Sequence, residues 1–266
     1  MKRLLLIAAL LVSTSSFATV VQPVGAASQV LIPAAGSTAG ANGTFFRSDI
    51  SIINLTTHDQ NVVLQWLPQA GSGGSNSSAI VTIPAFTGVR SSDFVSDFLH
   101  QTGLGSIIVT GATTGGGIDS TARLYVSSRI WSPQPGTSGT VSQSFPAIPL
   151  STINTPAAAL FAVSGADNPA NYRVNAGIVN VDPTNAQTFV ITDMTHLPLP
   201  FQQTITLPPM TMQQVSLGTT SATAQISIQN ATPSATRSNL WTAYSSTVDN
   251  VTGDAWSEIA VAGTPP

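Results

Sequence analysis

The chain reads as an all-β protein of two tandem antiparallel β-sandwich modules behind a signal peptide. Two observations predict this. First, FRSDISIINL at Phe46–Leu55 returns 126 residues later as YRVNAGIVNV at Tyr172–Val181, keeping an aromatic, an Arg, a polar Asp or Asn, aliphatics and an Asn in place. Second, nearly every apolar stretch is short, rich in Val, Ile and Thr, and bounded by Gly, Pro, Asn or Ser. That is the pattern of half-buried strands separated by turns.

In the first copy strands are expected near Gln29–Pro33, Ile50–Leu55, Asn61–Leu67, Ala79–Ile83, Ser106–Thr110, Thr121–Ile130 and Val141–Ile148. Ile50 and Ile52 point to one face while Ile53 and Leu55 point to the other, so this strand is expected inside a sheet. Asn61–Leu67 would follow it as a hairpin through Thr56–Gln60. In the second copy Ala176–Val181, Thr188–Asp193, Thr204–Leu207, Gln225–Ile228, Leu240–Ser246 and Gly253–Val261 repeat the plan. The offset shrinks along the chain from 126 to 124, 119, 116 and 114, each change falling in an expected loop, where insertions are tolerated. One segment breaks the pattern. Ser92–Leu99 puts Phe94, Val95, Phe98 and Leu99 on one helical face, with Ser91 or Ser92 as cap and Gly103 or Gly105 as terminator. This short helix is expected to plug one open end of the first sandwich.

The resulting division is a signal peptide over residues 1–18, a linker over 19–28, a first module over 29–150, a linker over 151–159 and a second module over 160–263. Lys2 and Arg3, the apolar Leu4–Val12 and the small residues up to Ala18 have the order of a secretory leader, with Ala26 or Ala27 as alternative cleavage points. The apolar run is too short for a membrane span, which needs about 20 residues. The expected location is secreted or cell-surface, extracellular or periplasmic.

Composition excludes several functions. Eight basic residues less Lys2 and Arg3 leave six Arg against eleven acidic residues, a formal charge of −5 without any Lys. Such a chain has no electrostatic footprint for nucleic acid. Cys is absent, which removes thiol catalysis and thiolate metal sites. No cofactor is implied.

The segment Ile32–Leu55, with N-G-T-F-F-R-S-D at Asn42–Asp49, S-R at Ser128–Arg129 and G-T-V-S-Q-S-F-P-A at Gly139–Ala147, resembles an immunoglobulin-like repeat of secreted bacterial proteins. The resemblance implies fold and location and brings no chemistry. The second copy departs from it: Asn175 stands for the Asp, Ser245 is expected at the Arg position, and the G-T-x-x-Q run reads GDAWS.

Candidate binding residues are Arg47, Asp49, Arg129 and Trp131. Arg47 and Asp49 share a strand face with Arg129 as a further partner, an arrangement that suits a structural ion-pair network or a patch for carboxylates or sugars. Trp131 is the best aromatic platform, whereas Trp66 and Trp241 are expected in the core. Asp93 and Asp97 share a helix face, but carboxylates four apart on a short helix are ordinary. His58, His100 and His196 have no ligand spacing, and calcium at Asp49, Asn42 or Asp119 lacks a coordinating ladder. The expectation is a non-catalytic structural or adhesive module. Its expected partner is an extracellular protein or polysaccharide, or another copy of itself, and neither nucleic acid nor a membrane span enters. A carbohydrate-active protein is the remaining alternative.

Overall fold

The computed structural model describes residues 25–40, 43–134, 136, 138–153, 158–164, 171–194, 202–217, 223–233 and 240–263. The expected leader over residues 1–18, most of residues 19–28, Asn42 and His196 lie outside the described residues. The fold is an all-β sandwich architecture with one short helix, as the strand pattern predicts.

The N-terminal half carries β1 (Gln29–Ala39), β2 (Phe45–Asn54), β3 (Gln60–Pro68), β4 (Ser77–Ile83), β5 (Gly88–Ser91), α1 (Phe94–Leu99), β6 (Gly103–Ala112), β7 (Leu124–Pro133), β8 (Thr140–Ser144) and β9 (Ile148–Pro149). The C-terminal half carries β10 (Ala158–Ser164), β11 (Tyr172–Asn180), β12 (Gln187–Asp193), β13 (Gln202–Leu207), β14 (Thr211–Ser216), β15 (Thr223–Asn230), β16 (Trp241–Asp249), β17 (Ala255–Ile259) and β18 (Val261–Gly263). One layer of the N-terminal half runs β4-β3-β6-β1 with β9 on β1, and the other places β5, β2, β7 and β8 side by side. The far end of β1 also pairs with β2 through Ser37–Ala39, which joins the layers into one sheet. In the C-terminal half the sheets run β13-β12-β15-β10-β18 and β14-β11-β16-β17. Strand for strand, the order is the same in both halves.

The expected β2–β3 hairpin does not form. β2 pairs with β1, β5 and β7, and β3 with β4 and β6, so the turn between them crosses from one layer to the other. Asn54 holds this arch. Its amide donates to the carbonyls of His58, Ile83 and Pro84 at 2.8, 3.0 and 3.2 Å, and its oxygen accepts from Thr56. Asn180 does the same in the other half, donating to Asn185, Leu207 and Pro208 at 3.0, 3.1 and 2.9 Å. A buried carbonyl must find a donor, and one amide here serves three of them. Two residues after each of those prolines, Phe86 and Met210 both take a left-handed backbone, with φ of 54° and 52°.

The pairing corrects the later registers. Leu124 lies opposite Asn54 and Trp241 opposite Asn180, an offset of 117 rather than 116. The partner of Asn175 is therefore Ser246, not Ser245, at the position Arg129 holds opposite Asp49. Ser144 corresponds likewise to Ser257, an offset of 113. β7 begins at Leu124, because Asp119–Ala122 form a turn closed by the Asp119 side chain on Thr121. The stretch expected as one strand over Val141–Ile148 splits into β8 and β9, which pair with opposite layers. β10 starts at Ala158, inside the expected linker.

Each half buries its own core. Ile50, Ile52, Val62, Leu64, Trp66, Ile107 and Val109 fill the first, and Ile178, Phe189, Ile191, Ile226, Ile228 and Trp241 the second. Helix α1 adds Phe94, Val95 and Leu99 to the first core, with Phe98 stacked on Phe94. Its first residue is preceded by Asp93, and His100 ends it in the left-handed conformation. Ser91 accepts from the Asp93 amide instead of acting as the cap itself.

A third cluster belongs to both halves. Leu31, Ala34, Leu67, Ile108, Phe145 and Ile153 pack on Val179, Val181, Met210, Met212 and Tyr244. The outer face of the β4-β3-β6-β1 layer thereby docks on the outer face of β14-β11-β16-β17. Tyr244 reaches this interface by crossing Gly177, where any Cβ would overlap its ring, and meets Phe145 edge-on at 5.4 Å. Ala70 donates its amide to Met212, and Ser257 donates its hydroxyl to the Ser144 carbonyl at 2.7 Å.

Candidate functional site

The outer face of β5-β2-β7-β8 is the counterpart of the docked face, and it is open. Alternation along β2 puts Arg47, Asp49 and Ser51 on this side, opposite Trp131, Arg129 and Ser127 of β7. β5 brings Arg90 beside Ser51, and β8 brings Ser144 beside Arg129. Asp49, Ser51, Arg90, Ser127, Ser128, Arg129 and Ser144 line a concavity of about 290 Å³; Arg47 and Trp131 lie outside its lining.

Asp49 is the pivot. Its side chain is only 6% exposed and accepts two hydrogen bonds from Arg90, Nε to Oδ1 at 2.9 Å and Nη2 to Oδ2 at 2.7 Å. Arg129 adds a third, Nε to Oδ2 at 3.0 Å. The Arg90 hydrogen bonds, supported by Arg129, hold the carboxyl below its ordinary value against the opposing effect of burial. Both guanidiniums keep an outward side, with side chains 68% exposed for Arg90 and 41% for Arg129. One carboxylate between two guanidiniums leaves the cluster with one net positive charge.

Arg47 does not join Asp49. It reaches Asp93 at 3.4 Å and lies between the rings of Phe45 and Trp131, at 4.6 and 5.6 Å from their centroids. Trp131 is half-buried, with its indole N–H donated to the Ser92 carbonyl at 2.8 Å. It is a wall beside Arg47 rather than a free platform. Trp66 and Trp241 are buried in the two cores.

Sequence reasoning placed Asp49 and Arg129 together and missed Arg90. Its strand, β5, is four residues long and lacks an apolar period; the available signal was position, since Arg90 follows the Pro84 turn as Gln214 follows the Pro208 turn. The same register gives the C-terminal counterparts of Asp49, Arg90 and Arg129 as Asn175, Gln214 and Ser246, all uncharged. There the face is filled by the N-terminal half: Ser246 donates to Gln143 Oε1 at 2.9 Å, and Gln143 Nε2 donates to the Trp256 carbonyl at 2.5 Å.

Several of the other acids are tied into turns or onto α1. Asp119, Asp182 and Asp249 accept hydrogen bonds from residues two positions on, and Asp97 accepts from Ser91. His58 and His100 are exposed in loop and cap positions. Among the described residues no group of three or more His, Cys, Asp or Glu converges to hold a metal, and no helix is long and apolar enough to cross a membrane. No protein-family model matches the chain, and no curated protein matches it in sequence.

Proposed function

We propose that the chain is a secreted or cell-surface protein of two tandem immunoglobulin-like modules, non-catalytic, that binds an extracellular partner through the open face of its first module. The observation that carries this reading is the contrast between two equivalent faces. One is apolar and covered by the other half of the chain; the other is open, charged and concave. Partly exposed arginines on a sheet face, with their ion pairs to Asp49 already formed, make a prepared contact surface.

The lowered Asp49 carboxyl supports a non-catalytic reading. A carboxylate held ionised by two guanidiniums is a poor proton donor near neutrality, and glycoside cleavage needs a second acid facing the first. The concavity contains one.

The test uses the mature chain, labelled at its amino terminus because it has no Lys, on extracellular matrix and intact cells from a producing culture. Retention that unlabelled protein competes away, with mature chain found outside the cytoplasm, is expected. Full-length chain retained in the cytoplasm, or no saturable retention, overturns the reading.

Self-association has one observation in its favour. β4 is a sheet edge, Ser77–Ile83, with no charged residue and with Ile80 73% exposed, which leaves a pairing edge unguarded. Light scattering over a concentration series tests it: Ile80→Lys dissociates an edge-paired assembly, and a monomer at every concentration removes this reading.

A further inference from the structure

We propose that the concavity at Asp49, Arg90 and Arg129 binds the carboxylate of an acidic sugar, a hexuronate unit of an extracellular polysaccharide; this rests on the reading of that face as a binding surface.

The site exists because of what the first half lacks. At the register positions where the C-terminal half carries Met212 and Tyr244, the N-terminal half carries Gly88 and Ser127. The bulk that welds the C-terminal face to its neighbour is missing, and a hydroxyl-lined hollow takes its place. A protein sheet would find little apolar surface there to bury. Ser51 and Ser127 are hydrogen-bonded to each other at 2.9 Å, and Ser144 completes the rim. Hydroxyls of this kind exchange donors and acceptors with a polyhydroxylated ring.

Charge sets the ligand class. Arg90 spends Nε and Nη2 on Asp49, and Arg129 spends Nε, so Nη1 of Arg90 and both terminal nitrogens of Arg129 are not taken up by Asp49, on side chains 68% and 41% exposed. Planar N–H pairs match a carboxylate. The cluster carries one net positive charge in a chain that is otherwise acidic, and a single carboxylate neutralises it. The volume, about 290 Å³, is of the order of a single sugar ring.

The probe is tetragalacturonate, titrated calorimetrically into the mature chain, with its methyl ester as the neutral analogue and a short poly-glutamate peptide as the alternative carboxylate source. Saturable binding of the acid that weakens with salt, about tenfold or more over the ester and the peptide, is expected. The triple change Asp49→Asn, Arg90→Gln and Arg129→Ser installs the set the C-terminal half already folds with, and it abolishes binding. Asp49→Asn alone raises the cluster charge by one and tightens binding several-fold, an outcome a purely structural ion pair does not produce. Absence of binding, equal binding of the ester, preference for the peptide, or retention by the triple variant each overturns the proposal. Matrix retention without galacturonate binding removes only the ligand assignment, whereas a chain confined to the cytoplasm removes the functional reading beneath it.

Discussion

On β16 Tyr244 crosses Gly177 and disappears beneath the N-terminal half; on β7 the matching residue is Ser127, which meets Ser51 at an open surface. Met212 and Gly88 differ in the same sense, and Gln214 and Arg90 differ in charge. Two sheets of the same strand order have thus been given opposite surfaces by a handful of side chains. The backbone plan fixes where a face lies, and the side chains at alternate positions decide whether it becomes a seam or a site.

Breaking the seam has the largest expected effect. Tyr244→Ala removes a buried ring from the shared cluster and costs about 3–5 kcal/mol, read from chemical denaturation, while Ser127→Ala at the matching position stays within about 0.5 kcal/mol. If the two changes cost the same, the contrast between the faces is wrong. The arches come next and should behave alike. Asn54→Ala and Asn180→Ala each remove a donor shared by three carbonyls, of which those of Pro84 and Pro208 keep a threonine donor, and cost about 2–3 kcal/mol. A large inequality would show that the two arches are not equivalent.

The ion-pair cluster gives a smaller, pH-dependent effect. Because Asp49 is held below its ordinary value of 3.8, its pairing stabilises the folded chain above that pH. This contribution is lost as the pH falls through 3.8 and toward the lower folded value. Asp119 and Asp249 shift in the same direction through their turn hydrogen bonds. Asp49→Asn therefore flattens the acid side of the stability curve in part, with about 1 kcal/mol lost near neutrality. Urea midpoints across the acid range measure both. The smallest effect is at Phe86. It is 66% exposed and left-handed, so Phe86→Gly relieves strain and is neutral or stabilising by up to about 1 kcal/mol. The same change at buried Met210 is destabilising, because packing is lost from the shared cluster.

Much of this was legible in the chain. Alternation marks β3 and β12, where burial on one face writes a period of two into the sequence, while β2, β6 and β11 stand out as short Val- and Ile-rich runs bounded by turn residues. β5 and β14 leave little sequence signal because they are short and mostly polar, and β10 begins two residues inside the expected linker over 151–159. The arch after β2 was read as a hairpin, since a five-residue turn between strands has no local mark of which sheet the second strand joins. Asn54 carried that information, but only through contacts with Ile83 and Pro84, about thirty residues away. For the site, the sequence points to Arg47 and Asp49 with Arg129 as a further partner; Arg129 joins Asp49, Arg47 turns to Asp93, and Arg90 depends on a register set by β5. Composition alone matches Ser245 to the Arg position, whereas strand pairing puts Ser246 opposite Asn175.

The cluster shared by Leu31, Leu67 and Ile108 with Val179, Met212 and Tyr244 also governs how the chain comes apart. In an array of repeats, cooperativity is set by the ratio of interface energy to the stability of each unit. Here a half severed from its neighbour exposes a contiguous apolar surface and loses Tyr244 or its receptor. The two halves are therefore expected to melt in a single calorimetric transition, and a fragment ending near Thr152 to precipitate rather than fold alone.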